Sequence, residues 1–391
     1  MNPDFYFIVL LFMLLILPKV LQRFGIPSAI TSFMVGLMSG PVFGVIQSNT
    51  IISVLSVLGI VTLFLFAGLE ADFDQLMEQK SILIQHVMIF FMMLVVSTYC
   101  IYRFMEYDFF VAALISIALL TPSTGFILDS LRSLNLSSSS QFWIKSKAIA
   151  AEIIALAVLF VVLQSLNAPK FALSVLILVV IVFILPQVFK GVARWVIPYA
   201  PKSEFTFLIM VAVSCAVVTK HLGIYYLVGA FIVGLSAQRF RESLPSFSSE
   251  KMMDAIELFS TFFIPFYFFK AGLSIPKEAL DMQALILGGA LLAVFVPIRI
   301  YSVGIHRKMI LGEKLKDANR IGIRLVPTFV FTLVLVDILR TQFAAPPVML
   351  GALIFYTIIN TMLPSIILKE KPIEFDQPHV SDIEVNIAPE L

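Results

Sequence analysis

Two stretches decide how this chain is read: "ALLTPSTGFIL" (Ala118–Leu128) and "IRLVPTFVFTL" (Ile323–Leu333). Each sets a proline inside an apolar run, with threonine or serine beside it. Proline has no N–H to close the helical hydrogen bond, so it frees a carbonyl and breaks or kinks the helix. Inside a bilayer such a carbonyl must be satisfied by protein or water, so the break has to face inward. Either proline alone also fits a simple packing kink. A pair in corresponding halves of a chain is the sequence pointer to an ion site near the bilayer midplane. The freed carbonyls and the hydroxyls of Thr121, Ser123 and Thr124 are hard oxygen ligands suited to a small monovalent cation. Pro122, Pro327 and Thr328 mark the expected crossover.

The surrounding composition supplies the bilayer. Hydrophobic residues make up 60% of the 391 and charged residues 13%, with a mean hydropathy of +1.00. A soluble domain of this size needs more charge on its surface. The chain divides at polar breaks into about 13 apolar segments near the length of a span. They fall at 5–20, 27–46, 51–69, 82–102, 108–131, 146–165, 171–189, 203–219, 223–238, 254–273, 283–303, 318–339 and 347–367. The fold class is therefore an all-α polytopic membrane protein, with a membrane domain over 1–368 and a short acidic cytosolic tail over 369–391. The start, "MNPDFYFIVLLFMLLILPKVLQRFG", lacks a basic n-region and a small-residue cleavage site, and reads as the first span.

Basic residues collect on alternate loops. One set holds Lys19, Arg23, Lys80, Arg132, Lys145, Lys147, Lys190, Arg194, Lys202, Arg239 and Arg241, and continues through Lys251, Arg307, Lys308, Lys314, Lys316 and Arg320 to Lys369 and Lys371. The other holds only Arg103, Lys170, Lys220, Lys277 and Arg340. The positive-inside rule then places the N-terminus outside and the C-terminus in the cytosol, in the plasma (inner) membrane of a bacterium.

The prolines are not the only internal echo. "SFMVGLMSG" (Ser32–Gly40) resembles "AFIVGLSAQ" (Ala230–Gln238), and "FLFAGLEADF" (Phe64–Phe73) resembles "FFKAGLSIPK" (Phe268–Lys277). Three echoes occur in the same order at nearly one offset, seven spans apart. The partners therefore run in opposite directions, as in the inverted repeats of secondary transporters. The repeats are expected over about 27–165 and 223–367.

One acid stands inside the apolar stretch "KSKAIAAEIIALAVLFVVL" (Lys145–Leu163): Glu152. A charged side chain at the bilayer centre costs about 2.5–3.5 kcal/mol on insertion scales. Glu152 therefore favours states in which a proton or a cation neutralises it. Ala148, Ala155 and Leu159 share its face, and the small alanines allow close approach of a broken helix. A structural carboxylate paired with a buried arginine is the alternative. Arg299 is read as a bundle-facing partner for Glu152, and Arg324, just before Pro327, as a cap on its half-helix. Glu70, Asp129, Asp254 and Glu257 lie near span ends and read as interfacial. His86, His221, His306 and His379 form no cluster in sequence, and Cys100 and Cys215 have no metal or disulfide spacing. No cofactor or nucleic acid partner is indicated.

At this point the chain resembles the monovalent cation:proton antiporter-2 family and its Kef-like members. The resemblance is carried by "LQRFGIPSAITSFMVGLMSGPVFG", "LGIVTLFLFAGLEADFDQL", "FIPFYFFKAGLSI" and "TPSTGFILDSLRSL", with Ala151-Glu152 where the family has a polar-acid pair. It implies a homodimer whose core domain moves like an elevator, exchanging Na⁺ or K⁺ for H⁺. It implies Glu152 as the exchange carboxylate, Thr121 and its neighbours as ion ligands, and Arg299 as an auxiliary charge. Glu152 replaces the usual aspartate, Ala151 replaces its polar partner, and "VPTFVF" lacks the family's frequent Gly-Glu-Phe. A lone acid implies electroneutral exchange. A cation channel and a non-transporting sensor or assembly partner on the same scaffold stay open. An intramembrane enzyme does not, because no catalytic dyad or metal motif is present.

Overall fold

A helix that crosses lipid must satisfy its own backbone, and the chain meets that demand with helices throughout its described residues. The computed structural model describes residues 3–71, 73–124, 127, 136–164, 168–200, 203–239 and 250–369. The acidic tail beyond Lys369 and Asp129 therefore lie outside the described residues. In chain order the helices are α1 (Pro3–Leu15), α2 (Leu17–Gln22), α3 (Ser28–Leu37, continued by a π-helical turn, Met38–Val42), α4 (Thr50–Leu69), α5 (Phe73–Glu78), α6 (Lys80–Met105), α7 (Phe109–Leu120) and α8 (Ser138–Gln164). There follow α9 (Ala168–Trp195), α10 (Glu204–His221), α11 (Tyr226–Arg239), α12 (Glu250–Leu273), α13 (Met282–Leu311), α14 (Leu315–Arg324), α15 (Phe329–Phe343) and α16 (Pro347–Leu368).

Polar residues at the breaks set several starts. Asn49 accepts from the Ile52 amide at 2.9 Å to open α4, Asp108 from Phe110 at 2.9 Å to open α7, and Asp281 from Met282 at 2.7 Å to open α13. Gly312, at φ 67°, closes α13 in the left-handed conformation that glycine adopts without strain.

Eight helices are long and apolar enough to cross a membrane; α14 and α15, bent by 50° at their break, make a ninth span. Four shorter apolar helices lie at Ile8–Gln22, Ser28–Val42, Phe109–Leu120 and Tyr226–Gln238. Each of the segments marked out by hydropathy has a helical counterpart here. The largest boundary shift is in α8. It begins at Ser138, well before the apolar run, so Lys145 and Lys147 lie within the helix instead of in a loop.

The sequence echoes meet in space, crosswise. α3 packs on α12, and α4 packs on both α11 and α12. A Cβ on Gly36 would collide with the Phe269 carbonyl, and one on Gly272 with that of Phe33. A Cβ on Gly68 would lie 2.9 Å from the Cα of Gly234, and one on Gly234 2.8 Å from the Cα of Gly68. The glycine in the first span of each half thus abuts the glycine in the second span of the other. Only a residue without a side chain permits such contact between helix backbones. Against this frame α7 and α15 cross, flanked by α8 and α16.

Candidate functional site

The site is built where α7 stops and α15 starts. After Leu120 the chain leaves the helix, and after Arg324 the second apolar run does the same. The freed backbone groups find specific partners, as buried groups must. The Ser123 amide donates to the Pro327 carbonyl at 2.9 Å, tying one break to the other. Ser123 Oγ in turn accepts from the Val330 amide at 3.0 Å, capping the first turn of α15 from across the crossing. At the end of α7, the Ala118 carbonyl accepts from Thr332 Oγ1 at 2.8 Å and the Leu119 carbonyl from the Tyr356 hydroxyl at 2.7 Å.

The second break is held from α16 and α13. The Thr328 amide donates to Asn360 Oδ1 at 3.2 Å, and Thr328 Oγ1 pairs with Thr357 Oγ1 at 2.9 Å. Arg299 donates to the carbonyls of Val326 at 2.6 Å and Leu325 at 2.7 Å. This corrects the expectation that Arg299 pairs with Glu152. The broken end of α14 offers carbonyls that only a strong buried donor can satisfy, and the guanidinium fork meets two at once. Capping, expected of Arg324, thus falls to Arg299; Arg324 is the half-buried last residue of α14.

Glu152 faces this crossing. It is buried, at 2% exposure, as are Thr121, Ser123 and Thr124. Glu152, Ser123 and Thr124 line one small cavity with Leu63 and Phe64 of α4 and Val330 of α15. Its volume open to the centre of a water molecule is about 10 Å³, near the minimum for a single water. Glu152 Oε2, Thr121 Oγ1 and Thr124 Oγ1 have no hydrogen-bond partner among the described residues. Ser123 and Thr328, by contrast, use their hydroxyls to hold the backbone. The residues singled out by sequence thus divide into open oxygens and structural ones.

The half-helix ends are sorted by charge. The cavity of Glu152 is walled by Val330 and Phe331, in the positive N-terminal turn of α15. A second cavity, of about 30 Å³, has Leu120 and Gly322 from the negative C-terminal turns of α7 and α14, and there the lining charges are Lys147 and Arg299. Lys147, grouped with the loop cations from sequence, is buried.

A wider cavity of about 180 Å³ lies one turn along the same two helices. It is lined by Ile60 of α4 and by Leu333, Asp337 and Arg340 of α15, together with Tyr225 and Lys270. Asp337 accepts from the Tyr225 hydroxyl at 3.1 Å and pairs with Arg340 at 2.9 Å.

Sequence reading passed over Asn360, Thr357 and Tyr356, whose only signal was single polar groups within apolar α16. It also treated the histidines as scattered. In fact the rings of His86 and His306 stack edge to face, with centroids 5.2 Å apart. Residues this distant in sequence meet only once α6 and α13 are placed.

Crosswise repeats, two helices broken at one crossing and a buried acid beside them define a cation:proton antiporter scaffold. The comparisons bear this out. Residues 8–370 match the model of the family described as "Sodium/hydrogen exchanger, transmembrane", and the chain belongs to that family. It is 26% identical over 69% of its length to "Probable Na(+)/H(+) antiporter 3" of Methanocaldococcus jannaschii, spanning 71% of that protein. It is 23% identical over 67% of its length to the "Na(+)/H(+)-K(+) antiporter GerN" of Bacillus cereus, spanning 68% of it. The fold matches the sodium proton antiporter MjNhaP1 of M. jannaschii at a TM-score of 0.66 and 14% identity, over 93% of this chain and 95% of that one. The matches carry the broad family; the narrower antiporter-2, Kef-like branch suggested by the motifs is not supported by them.

Proposed function

We propose that the protein exchanges a monovalent cation, Na⁺ or K⁺, for H⁺, with both competing for Glu152. The reading rests on one observation above all: a buried carboxyl oxygen and two threonine hydroxyls without protein partners, at the meeting point of two broken helices. A bare carboxylate there is penalised by burial. Protonated or cation-bound, it is close to neutral, and either form can cross with the moving core. That rule couples the two fluxes without any further energy source. The site cavity holds no second acid among its lining residues, so exchange is one for one and electroneutral.

Related M. jannaschii and B. cereus proteins are named as Na⁺/H⁺ antiporters, one of them with K⁺, which supports the substrate class. In this reading Glu152, Thr121 and Thr124 bind the ion, and Ser123, Thr328 and Arg299 hold the crossing in shape. The two halves, about 27–165 and 223–367, form one membrane domain that works as a homodimer by an elevator movement. The N-terminus is outside and the C-terminus is cytosolic. The Asp337 cavity then opens outward, and ions reach Glu152 from it across the turn that separates Ile60 from Leu63.

The test is exchange in proteoliposomes carrying a pH dye, with Na⁺, K⁺ or Li⁺ added in turn, for the parent protein and Glu152→Gln. Cation-driven proton movement is expected in the parent and absent in the variant. Movement that survives the substitution would remove Glu152 from the mechanism.

A further inference from the structure

Where α6, α8 and α13 meet, beside the exchange site, lies a cluster that the exchange reading does not use. His86, Trp143, Lys147, His306 and Arg307 are all at most 9% exposed. The ring centroids of His86 and Trp143 are 4.8 Å apart and those of Trp143 and His306 4.9 Å, and the Arg307 guanidinium carbon lies 5.0 Å over the Trp143 ring. Lys147, one turn after Trp143 on α8, is near enough to act electrostatically on both histidines.

Each of these side chains keeps a nitrogen without a partner among the described residues: His86 Nε2, Trp143 Nε1, Lys147 Nζ, His306 Nδ1 and Arg307 Nη1. The acceptors nearby are already engaged. Glu313 takes two bonds from Arg307, at 2.6 and 3.0 Å, Gln85 Oε1 pairs with His306 Nε2 at 2.8 Å, and Ser146 Oγ pairs with His86 Nδ1 at 3.2 Å. Arg307 is neutralised by Glu313. Lys147 is left as an excess positive charge, together with orphaned N–H groups. Buried charges are paired in proteins, because an unpaired one is far too costly. There is also room: the cavity of about 30 Å³ that Lys147 lines is bounded by Phe90, one turn from His86, and by Ser302, one turn from His306.

We propose that this seam binds a monovalent inorganic anion of the halide class. The Lys147 ammonium is its counter-charge, and the Trp143 and Arg307 N–H groups, with a histidine ring nitrogen, complete its donors. Three helices would be fastened through one ion. One of them, α13, carries Arg299 two turns earlier, which holds the second break.

The chain has 2 tryptophans, and Trp195 is exposed at 70%. Trp195→Phe therefore leaves Trp143 as a reporter inside the cluster. The purified protein is titrated with iodide against gluconate at constant ionic strength. Quenching that saturates and is relieved by chloride is expected, with the half-saturating concentration raised roughly tenfold or more by Lys147→Met. Linear quenching that chloride does not relieve would overturn the proposal, as would a Lys147→Met curve equal to the parent's. Thermal unfolding of the unmodified protein gives a second readout that needs no variant. A higher Tm in chloride than in gluconate supports the site, and equal values refute it.

Discussion

Ser123 and Pro327, which belong to opposite halves of the chain, are joined by a 2.9 Å backbone hydrogen bond, and the Ser123 hydroxyl caps Val330 just beyond. The two broken helices are thereby one object. Thr121 and Thr124 lie beside this link, yet their hydroxyls bond to nothing among the described residues. The three side chains should respond differently to substitution. Ser123→Ala strands a buried N–H and is expected to destabilise by about 1–3 kcal/mol. Thr121→Val and Thr124→Val keep shape, should leave Tm nearly unchanged, and should raise the cation KM. Thermal unfolding and exchange kinetics on the same preparations would separate the two classes.

Competition at Glu152 fixes the sign of the pH dependence. As pH falls, protons occupy the carboxyl and the cation must displace them. The apparent cation KM should therefore rise with acidity, toward about tenfold per pH unit once protons dominate. Saturating cation should restore the rate. Initial rates against cation concentration at several pH values decide this; an acid limb that high cation cannot reverse would contradict simple competition.

Arg299 meets two carbonyls with one planar group. Arg299→Lys keeps the charge but loses the fork, and Arg299→Leu strands both carbonyls. Loss of stability is expected in both, about 3–5 kcal/mol for leucine as for other broken buried charge contacts. Unfolding in detergent, followed by scattering or tryptophan emission, would give the order parent, lysine, leucine.

The Asp337–Arg340 pair at the wider cavity sets the local field on the way to Glu152. Asp337→Asn should raise the cation KM and Arg340→Gln lower it, each by about 2–5-fold at low salt, with Vmax little changed. The opposite signs should converge as ionic strength rises, because these side chains are partly exposed. Parallel changes in both variants would mean that the pair is only structural.

Gly68 and Gly234 test the frame. Alanine at either position places a methyl against backbone that has no slack. Overpacking of this kind costs about 1–3 kcal/mol. Gly289, with open space around its Cα, is the control and should accept alanine freely.

Much of the architecture was legible because bilayers impose simple rules on sequence. Apolar runs marked the spans, and prolines inside them marked the breaks. The paired glycines marked the crosswise contacts, since only close backbones demand them. Glu152 stood out as an acid among apolar neighbours. What stayed hidden depended on distance along the chain. Nothing near Arg299 says that its partners are the carbonyls of Leu325 and Val326 instead of a carboxylate. Lys147 looked like a loop cation because serines precede it, and serine does not reveal that α8 has already begun. The contact of His86 with His306 required α6 and α13 to be placed first.

The sorting of half-helix ends has a further effect. The acid sits by a positive helix start and the two bases by negative helix ends, so a standing voltage drop runs through the crossing even when every titratable group is neutral. An ion released from its carboxylate meets repulsion from Lys147 and Arg299 on one side and an open mouth on the other. The backbone alone thus works as a one-way insulator, guarding against leak in the moment when the site is between occupants.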